Sequence, residues 1–423
     1  MKKISLTLIG LYVGLFAGFA QSKSDSSKYN NTDLTFEEAN IVSSYYTQNG
    51  NNSAVTGGIG TEKLTDFSNT FDLKFYRYDS RFRKHNWNFE LGIDHFTSAS
   101  ADMVDLKANS SASHADTRIY PSVNWTVENE QKGTTVGAGA SYSHEFDYTS
   151  FSGNLNFALK TKNRSGEFSA KLQTFLDKVN QVIPTELLPV VVVNYTSVVS
   201  SASRGSGGGG SFTSFFSGGS SSKYPSVPRN TTDLALSYSQ IVNKRLQIMV
   251  MGDLVAQSGY LSLPFHRVYF KDSTVHQEVL PDSRLKIPIA LRANYFVGDK
   301  IILRGYYRFY TDDWGLTAHT ASLETPVKIT SFFSISPFFR YYVQSAIQYF
   351  GAYRTHTAAE KYYTSNFDYS AFTSKFFGAG IRLTPPNGIL GNQKFEMIEI
   401  RYGHYSKNIG MQSDVISVNL KFK

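Results

Sequence analysis

The chain has 423 residues, of which 41% are hydrophobic, 15% aromatic and 18% charged, so it holds enough apolar material for a large folded body. Its formal net charge of +8 is modest and no basic stripe accompanies a nucleic-acid motif, which excludes a nucleic-acid partner from our expectations. Cysteine is absent, so no disulfide framework exists, and no apolar run of about 18 residues follows the N-terminus, which excludes a helical membrane protein.

The N-terminus predicts a cleaved signal peptide over residues 1–20. Lys2 and Lys3 precede an apolar run over residues 4–19, and the small residue Ala20 stands before a cleavage point at Gln21. The run is short for a membrane anchor, which is the alternative interpretation. The polar residues 21–37 then predict a flexible periplasmic lead, with a plug inside the fold as the alternative.

Residues 38–423 predict a single all-β domain. Segments of about ten residues alternate between apolar and polar with period two, as in transmembrane β-barrels. In one such segment Leu285, Ile287, Ile289 and Leu291 alternate with positions that include Arg284, Lys286 and Arg292, and in the last segment Ile416, Val418, Leu420 and Phe422 alternate with Ser417, Asn419 and Lys421. We therefore predict a transmembrane, antiparallel, up-and-down β-barrel in the outer membrane.

The lengths of the connections predict the number and direction of the strands. If the first strand runs outward, the short connections fall on the periplasmic side, and the long ones near residues 97–113, 178–230, 257–282 and 345–370 fall outside. Short periplasmic turns and long outer loops are typical of outer-membrane barrels. This count predicts about sixteen strands, within a range of about 14 to 18.

The longest predicted outer loop, residues 178–230, contains a stretch made almost entirely of Ser and Gly. Such a composition cannot bury enough apolar area to fix one conformation, so we expect a mobile surface excursion. At the other end of the chain, the aromatic final strand ends at Phe422 and Lys423. It resembles the signal that the barrel-assembly machinery reads, with an ordinary amphipathic edge strand as the alternative.

Five stretches resemble signatures of the domain-of-unknown-function family 3570. They are YYTQNGNNSAVTGGIGTEKL at residues 45–64, LGIDH at 91–95, LPFHRVY at 263–269, DDWGLTAH at 312–319 and RYGHY at 401–405. The resemblance spans nearly all of the mature chain and implies a secreted outer-membrane barrel without an established activity. It also implies an association with flavin-transferring enzymes and small secreted proteins, and hence a link to a flavin-dependent redox system.

Histidine and carboxylate residues concentrate at the predicted outer strand ends and outer loops. Imidazole and carboxylate together suit Zn, Cu, Fe or Mn, which gives the hypothesis of a divalent metal site in the outer mouth. The alternative is that most polar residues of a barrel lie outside the membrane in any case. No other cofactor is expected. The candidate ligands are Asp94, His95, His266, Asp312, Asp313, His319 and His404.

A set of arginines takes the face opposite to the apolar face of the predicted strands. A charge that faces lipid at mid-depth costs about 2 to 4 kcal/mol, so these arginines are predicted to face the lumen. Their excess over acids favours anions, whereas a salt-bridge network that fills a closed interior is the alternative. The predicted lumen residues are Arg118, Arg284, Arg292, Arg304, Arg308, Arg340, Arg382, Arg401, Glu90 and Glu399.

These observations predict a channel or ligand-specific transporter in the outer membrane, with a small anionic solute, the lipid bilayer and lipopolysaccharide as partners. The alternative is a non-conducting barrel that binds an envelope partner or serves in assembly. Catalytic motifs such as G-x-S-x-G and H-E-x-x-H are absent. A triad assembled from separate strands would leave no such motif, so an outer-membrane enzyme is the third hypothesis.

Overall fold

The structure is a computed structural model that describes residues 33–97, 115–181 and 225–423. The predicted signal peptide, most of the predicted lead and the Ser/Gly-rich stretch lie outside the described residues. Within these residues two short 3-10 turns occur, Ala54–Thr56 and Phe367–Tyr369. No helix among them has both the length and the apolar character needed to span a membrane.

Seventeen strands form one antiparallel sheet, and a separate hairpin of two short strands lies in a loop. The strands of the first half are β1 (Thr35–Asn49), β2 (Leu64–Tyr78), β3 (Lys84–Thr97), β4 (Ala115–Asn129), β5 (Thr134–His144), β6 (Tyr148–Lys160), β7 (Gly166–Asn180), β8 (Ser226–Asn243) and β9 (Leu246–Gly259). The hairpin consists of β10 (Arg267–Tyr269) and β11 (Val275–Gln277). The remaining strands are β12 (Ser283–Val297), β13 (Ile301–Asp312), β14 (Thr317–Glu324), β15 (Val327–Lys328), β16 (Phe333–Gln344), β17 (Phe372–Leu383), β18 (Phe395–Lys407) and β19 (Met411–Phe422).

The sheet closes into a barrel because β1 pairs with both β2 and β19. β14 and β15 both pair with β13 on one side and with β16 on the other, so they are two pieces of one wall strand. The wall therefore has sixteen positions around its circumference. The predicted up-and-down barrel of about sixteen strands is confirmed. β1 begins at Thr35, three residues before the predicted domain boundary at residue 38.

Alternation along each strand gives the wall an apolar outward face and a polar inward face. In β12 the outward residues Leu285, Ile289 and Leu291 are 40%, 51% and 46% exposed, as expected for side chains that meet lipid. Their neighbours Arg292 and Asn294 line an internal cavity. The closed sheet leaves no unpaired edge, so every backbone group of the wall can be satisfied within the apolar layer.

The seam between the two chain ends is packed on the outward side. Ala39, Ile41, Phe71 and Phe422 form a buried cluster. The Phe422 ring stacks on Phe395, with centroids 4.8 Å apart. The cluster ties the first, second and last strands together at the end where the short turns lie. We call this the periplasmic end and the end with the long loops the outer end, following the general asymmetry of such barrels.

Candidate functional site

Three long loops pack together at the outer end, and we call them the cap: residues 50–63, 260–282 and 345–371. Backbone hydrogen bonds join the second and third loops, with Val279 and Tyr363 each donating to the carbonyl oxygen of the other at 3.2 and 2.7 Å. Buried side chains from the cap and the adjoining strands form one apolar cluster: Leu261, Leu280, Trp314, Leu316, Ala318 and Ile347. The cap is thus a packed body with its own core.

The barrel topology requires the cap to cross the mouth. The first cap loop joins β1 to β2, and the second joins β9 to β12, half of the circumference away. The Arg267 guanidinium of the second loop nevertheless donates to the carbonyl oxygen of Val55 in the first loop, at 2.6 Å. Two loops from opposite sides of a closed ring can meet only above the lumen.

Two glycines allow the loops to approach this closely. Gly57 and Gly58 have φ values of 81° and 84°, in the left-handed region that favours glycine. A Cβ atom on Gly57 would lie 2.4 Å from the Tyr269 ring of the second loop, and one on Gly58 would lie 2.6 Å from the carbonyl oxygen of Ser365 in the third. Any larger residue at either position would force the cap apart.

A buried carboxylate connects the second and third cap loops. The Glu278 side chain is 1% exposed. It accepts hydrogen bonds from the Leu263 backbone N–H at 2.7 Å and from the Thr364 hydroxyl at 2.5 Å. His266 Nδ1 lies 3.6 Å from the same carboxylate. Burial in the cap, and the nearby Glu278 charge, raise the pKa of Tyr260 to about 12.

The cap also contacts the inner wall of the barrel. Lys407 of β18 pairs with Asp368 of the third loop at 2.6 Å. Arg284 of β12 pairs with the fully buried Asp312 carboxylate of β13. Its guanidinium carbon lies 4.3 Å from the ring centroid of Trp314 in the turn after β13 and 5.4 Å from that of Tyr369 in the third loop. These contacts join the cap to the same side of the lumen that carries most of the predicted arginines.

Below the cap, a cavity of about 940 Å³ lies against β12, β13, β14, β16, β17 and β18. Its walls follow two successive rows of paired inward residues. One row contains Arg292, Tyr306, Ser322, Arg340, Phe376 and Tyr405. The next row towards the outer end contains Ala290, Arg308, Thr320, Tyr342, Ser374 and Lys407.

The predicted lumen arginines divide into a paired group and an unpaired group. The paired ones are Arg118 with Asp94, Arg284 with Asp312, Arg304 with Glu324, Arg382 with Glu399, and Arg401 with Glu324 and Glu399. Among the described residues, Arg292, Arg308 and Arg340 have neither a hydrogen-bond partner nor an ion-pair partner. All three line the 940 Å³ cavity.

The two unpaired arginines of the first row lie over aromatic rings. The guanidinium carbon of Arg292 lies 5.8 Å from the Tyr306 centroid, and that of Arg340 lies 4.9 Å from the Phe376 centroid. Such stacking orients a guanidinium without using its N–H donors. Arg308 Nε is buried and unpartnered in the next row. The donors of these three side chains remain available to a ligand.

All ten predicted lumen residues lie on the inward face, by the alternation and register of their strands. Glu399 is 7% exposed, between Arg382 and Arg401. Glu90 lies on β3 directly opposite Asp72 in the strand register, on the other side of the lumen from β12 and β13. Two carboxylates, Asp72 and Glu90, therefore face the lumen across from the arginine-lined cavity.

The seven predicted metal ligands do not come together. Asp94 faces the lumen and pairs with Arg118 at 2.8 Å, whereas the next residue, His95, faces outward. Asp312 pairs with Arg284, and Asp313 accepts a hydrogen bond from the Leu285 backbone. His266 lies in the cap, and His319 and His404 face outward on strands that do not adjoin. A single metal ion cannot contact both faces of a wall.

Among the described residues, one group of three potential ligands is close enough to share an ion. It consists of Asp116, Glu145 and Asp147, whose oxygens lie within 4.8 Å of one another. Burial, and then the Asp147 charge, raise the pKa of Glu145 to about 7. Burial likewise raises the pKa of Asp147. None of these three residues was among the predicted ligands.

Sequence reasoning also missed Glu278, Thr364 and Trp314, which organise the cap. No spacing rule links residues 278 and 364, because their contact depends on how two outer loops fold over the mouth. A sequence signal did exist for part of the cap. The stretches 45–64, 263–269 and 312–319, which carry the family resemblance, include Val55, Gly57, Gly58, Arg267 and Trp314.

Residues 95–412 match a protein family described as "Protein of unknown function (DUF3570)". The chain belongs to this family. The predicted resemblance is therefore confirmed, and it extends over the cavity and the second and third cap loops of this DUF3570 protein. No curated protein matches the chain at the level of sequence.

Solved structures similar to the DUF3570 protein are barrels of the bacterial outer membrane. The siderophore receptor PirA from Pseudomonas aeruginosa has 9% identity and a TM-score of 0.41, over 89% of this chain and 57% of the receptor. OccD3 (OpdP) from Pseudomonas aeruginosa has 7% identity and a TM-score of 0.43, over 95% and 94%. CdiB from Acinetobacter baumannii has 7% identity and a TM-score of 0.42, over 92% and 66%. The chain spans little more than half of PirA, and such distant likenesses say nothing about ligands.

Proposed function

We propose that the DUF3570 protein is a channel or ligand-specific transporter of the outer membrane that favours small anions. The closed wall with an apolar outward face supports a location in a membrane, and the N-terminal signal pattern supports export to the outer membrane. A barrel of sixteen strands is wide enough for an aqueous channel unless side chains or loops fill it.

The observation that carries the proposal is the group of unpaired arginines around one cavity. A guanidinium in a membrane-embedded lumen is costly unless it has a counter-charge. Asp94, Asp312, Glu324 and Glu399 provide counter-charges for the other lumen arginines. Arg292, Arg308 and Arg340 form no ion pair among the described residues, although Asp253 lines a second pocket beside Arg308. The positive potential of Arg292 and Arg340 is therefore directed into the cavity, and that of Arg308 is only partly offset. An anion that enters would supply the missing counter-charge.

The cap favours a second candidate function. Its loops pack over the mouth with a core of their own, as expected if the outer surface recognises a partner rather than admitting a solute. In that case the arginine cavity would hold a bound ligand or stiffen a non-conducting barrel in envelope assembly or in a flavin-linked redox system. The two candidates differ in one measurable property, the passage of ions.

Single-channel recording of the folded barrel in a planar bilayer tests the proposal. Under a salt gradient, we expect discrete openings whose reversal potential indicates anion preference. A barrel that remains silent, while its heat-modifiable migration shows it to be folded, would favour the second candidate. Openings with cation preference would contradict the proposal for anions while retaining a channel.

A further inference from the structure

The outward face of the barrel carries a set of basic side chains close to the outer end, which we call the outer rim. None of them lies more than three residues from the outer end of its strand. Their alternation places them on the side of the wall that carries the exposed apolar residues. The outer rim consists of His95, His144, Lys178, His319, Lys375 and His404.

Three of the four outer-rim histidines share one hydrogen-bonding arrangement. Nδ1 of His95 lies 2.9 Å from the Thr117 hydroxyl, Nδ1 of His144 lies 2.9 Å from the Thr149 hydroxyl, and Nδ1 of His319 lies 2.8 Å from the Tyr307 hydroxyl. Which atom donates depends on the histidine tautomer: Nε2 carries a hydrogen when the hydroxyl donates to Nδ1 or when the ring is protonated. In the described part of the chain, these Nε2 atoms have no hydrogen-bond partner, so in that tautomer or in the protonated ring each can donate to a molecule outside the wall.

The fourth histidine differs in its partner. Nδ1 of His404 lies 2.8 Å from the Asp414 carboxylate, which also accepts from the Tyr402 hydroxyl at 2.7 Å. Among the described residues that face outward within three residues of the outer strand ends, Asp414 is the one carboxylate. The two lysines have no ion-pair partner among the described residues. The outer rim is therefore basic, and its single acid is already occupied.

The outer rim divides into two patches. His144, Thr149 and Lys178 are consecutive partners in the register of β5, β6 and β7, and His95 lies close by on β3. On the far side of the barrel, Lys375 of β17 lies between the strands of His319 and His404. Hydroxyl side chains surround both patches at the same height: Thr47, Thr65, Thr97, Thr311, Thr317, Thr373 and Ser406. This polar ring marks where the apolar band ends.

We infer that the outer rim binds the phosphate groups of lipopolysaccharide. At this height an outer-membrane barrel meets the headgroups of the outer leaflet, so a lipid headgroup is the group that each unpartnered Nε2 and lysine ammonium faces. Phosphate oxygens accept hydrogen bonds from both and neutralise the lysines. Two patches on opposite sides of the wall fit two separate lipid molecules. This inference uses the proposed outer-membrane location but is independent of conduction.

The test measures the thermal stability of the detergent-folded full chain with added lipid A. We expect phosphorylated lipid A to raise the unfolding temperature, and dephosphorylated lipid A or inorganic phosphate to have little effect. Lys178→Gln with Lys375→Gln should weaken the apparent affinity by about fivefold per lysine. His95→Gln with His144→Gln and His319→Gln should weaken it further.

Lys132→Gln with Lys300→Gln is the matched control, since both lysines are exposed in short turns at the periplasmic end. This variant should bind lipid A like the unaltered protein. Equal weakening in the control and in the outer-rim variant would overturn the inference, because binding would then depend on net charge alone. Stabilisation that persists without the phosphates, or association of the barrel with itself in place of lipid binding, would also overturn it.

Discussion

Arg267, in the loop that follows β9, donates a hydrogen bond to the carbonyl oxygen of Val55, in the loop that follows β1, at 2.6 Å. The strands that carry these loops stand half of the circumference apart. The contact therefore lies over the lumen, and the cap crosses the mouth rather than only surrounding it. Any solute that enters from outside has to pass the cap or displace it.

Glu278→Ala should loosen the cap. The change leaves the Leu263 N–H and the Thr364 hydroxyl without their acceptor, and losing a buried charged partner costs about 2 to 4 kcal/mol. We expect faster proteolysis and faster hydrogen exchange in residues 260–282 and 345–371, and a higher open probability if the barrel conducts. Glu130→Ala, in an exposed periplasmic turn, is the control. An unchanged exchange rate in both loops would contradict the role of Glu278.

Asp312→Asn should destabilise the junction between cap and wall by about 3 to 5 kcal/mol, since it leaves the Arg284 charge buried without a partner. Asp312 also accepts from the backbone N–H groups of Trp314 and Leu316. Tryptophan fluorescence, to which Trp314 contributes together with Trp87 and Trp125, follows denaturant unfolding. The denaturant concentration at the unfolding midpoint should fall in the Asp312→Asn variant. It should stay unchanged in Asp299→Asn, which alters an exposed turn residue. Equal midpoints would show that the pair contributes no net stability.

The outer turn around Glu145 should be more stable in acid. The pKa of Glu145 is about 7 in the folded protein against an ordinary value of 4.5, so the folded turn binds the proton more tightly than the opened turn. Its stability is highest at low pH and falls as the pH rises through the range from 4.5 to about 7. Hydrogen exchange of the Phe146 amide, which donates to Asp116, follows this change.

Glu145→Gln should remove most of that pH dependence and protect the Phe146 amide more strongly at pH 8, after correction for intrinsic exchange. Glu130→Gln should behave like the unaltered protein. A turn that becomes more protected as the pH rises would have the opposite sign and would refute the assignment to Glu145.

Phe422→Leu should weaken the seam of the barrel. The substitution keeps an apolar side chain but removes the ring that stacks on Phe395, which contributes about 1 kcal/mol. We expect a modest decrease in the urea midpoint of the folded barrel and a lower yield of assembled protein in cells. The predicted recognition of this strand by the assembly machinery adds a kinetic effect. Normal yield with a lowered midpoint would assign Phe422 to packing alone.

The strands and the faces of their residues could be predicted because both depend on local alternation. Leu285, Ile287 and Ile289 on one face of β12, and Arg284 and Lys286 on the other, establish which side meets lipid without reference to any other strand. The free-energy cost of a charged side chain that faces lipid then places the arginines on the inward face. Alternation also places Asp94 and His95 on opposite faces of β3, because they are consecutive residues of one strand. The predicted metal site joined these two residues by their chemistry alone and was therefore wrong.

Contacts between strands and between loops could not be predicted. Whether an inward arginine is paired depends on which acid stands beside it, and Arg401 reaches Glu324 across two intervening strands. The cap depends on contacts between residues as distant as Val55 and Arg267. Alternation along one strand contains no information about either.

The reversal potential of arginine variants tests the central claim most directly. Substituting Gln for Arg292, Arg308 and Arg340 removes the unpaired charges, whereas substituting Gln for Arg382 and Arg401 removes charges already balanced by Glu399 and Glu324. We predict that the first variant loses its anion preference under a salt gradient and that the second shifts it much less. Equal shifts in the two variants, or an anion preference that survives the first, would contradict an anion site at the three arginines.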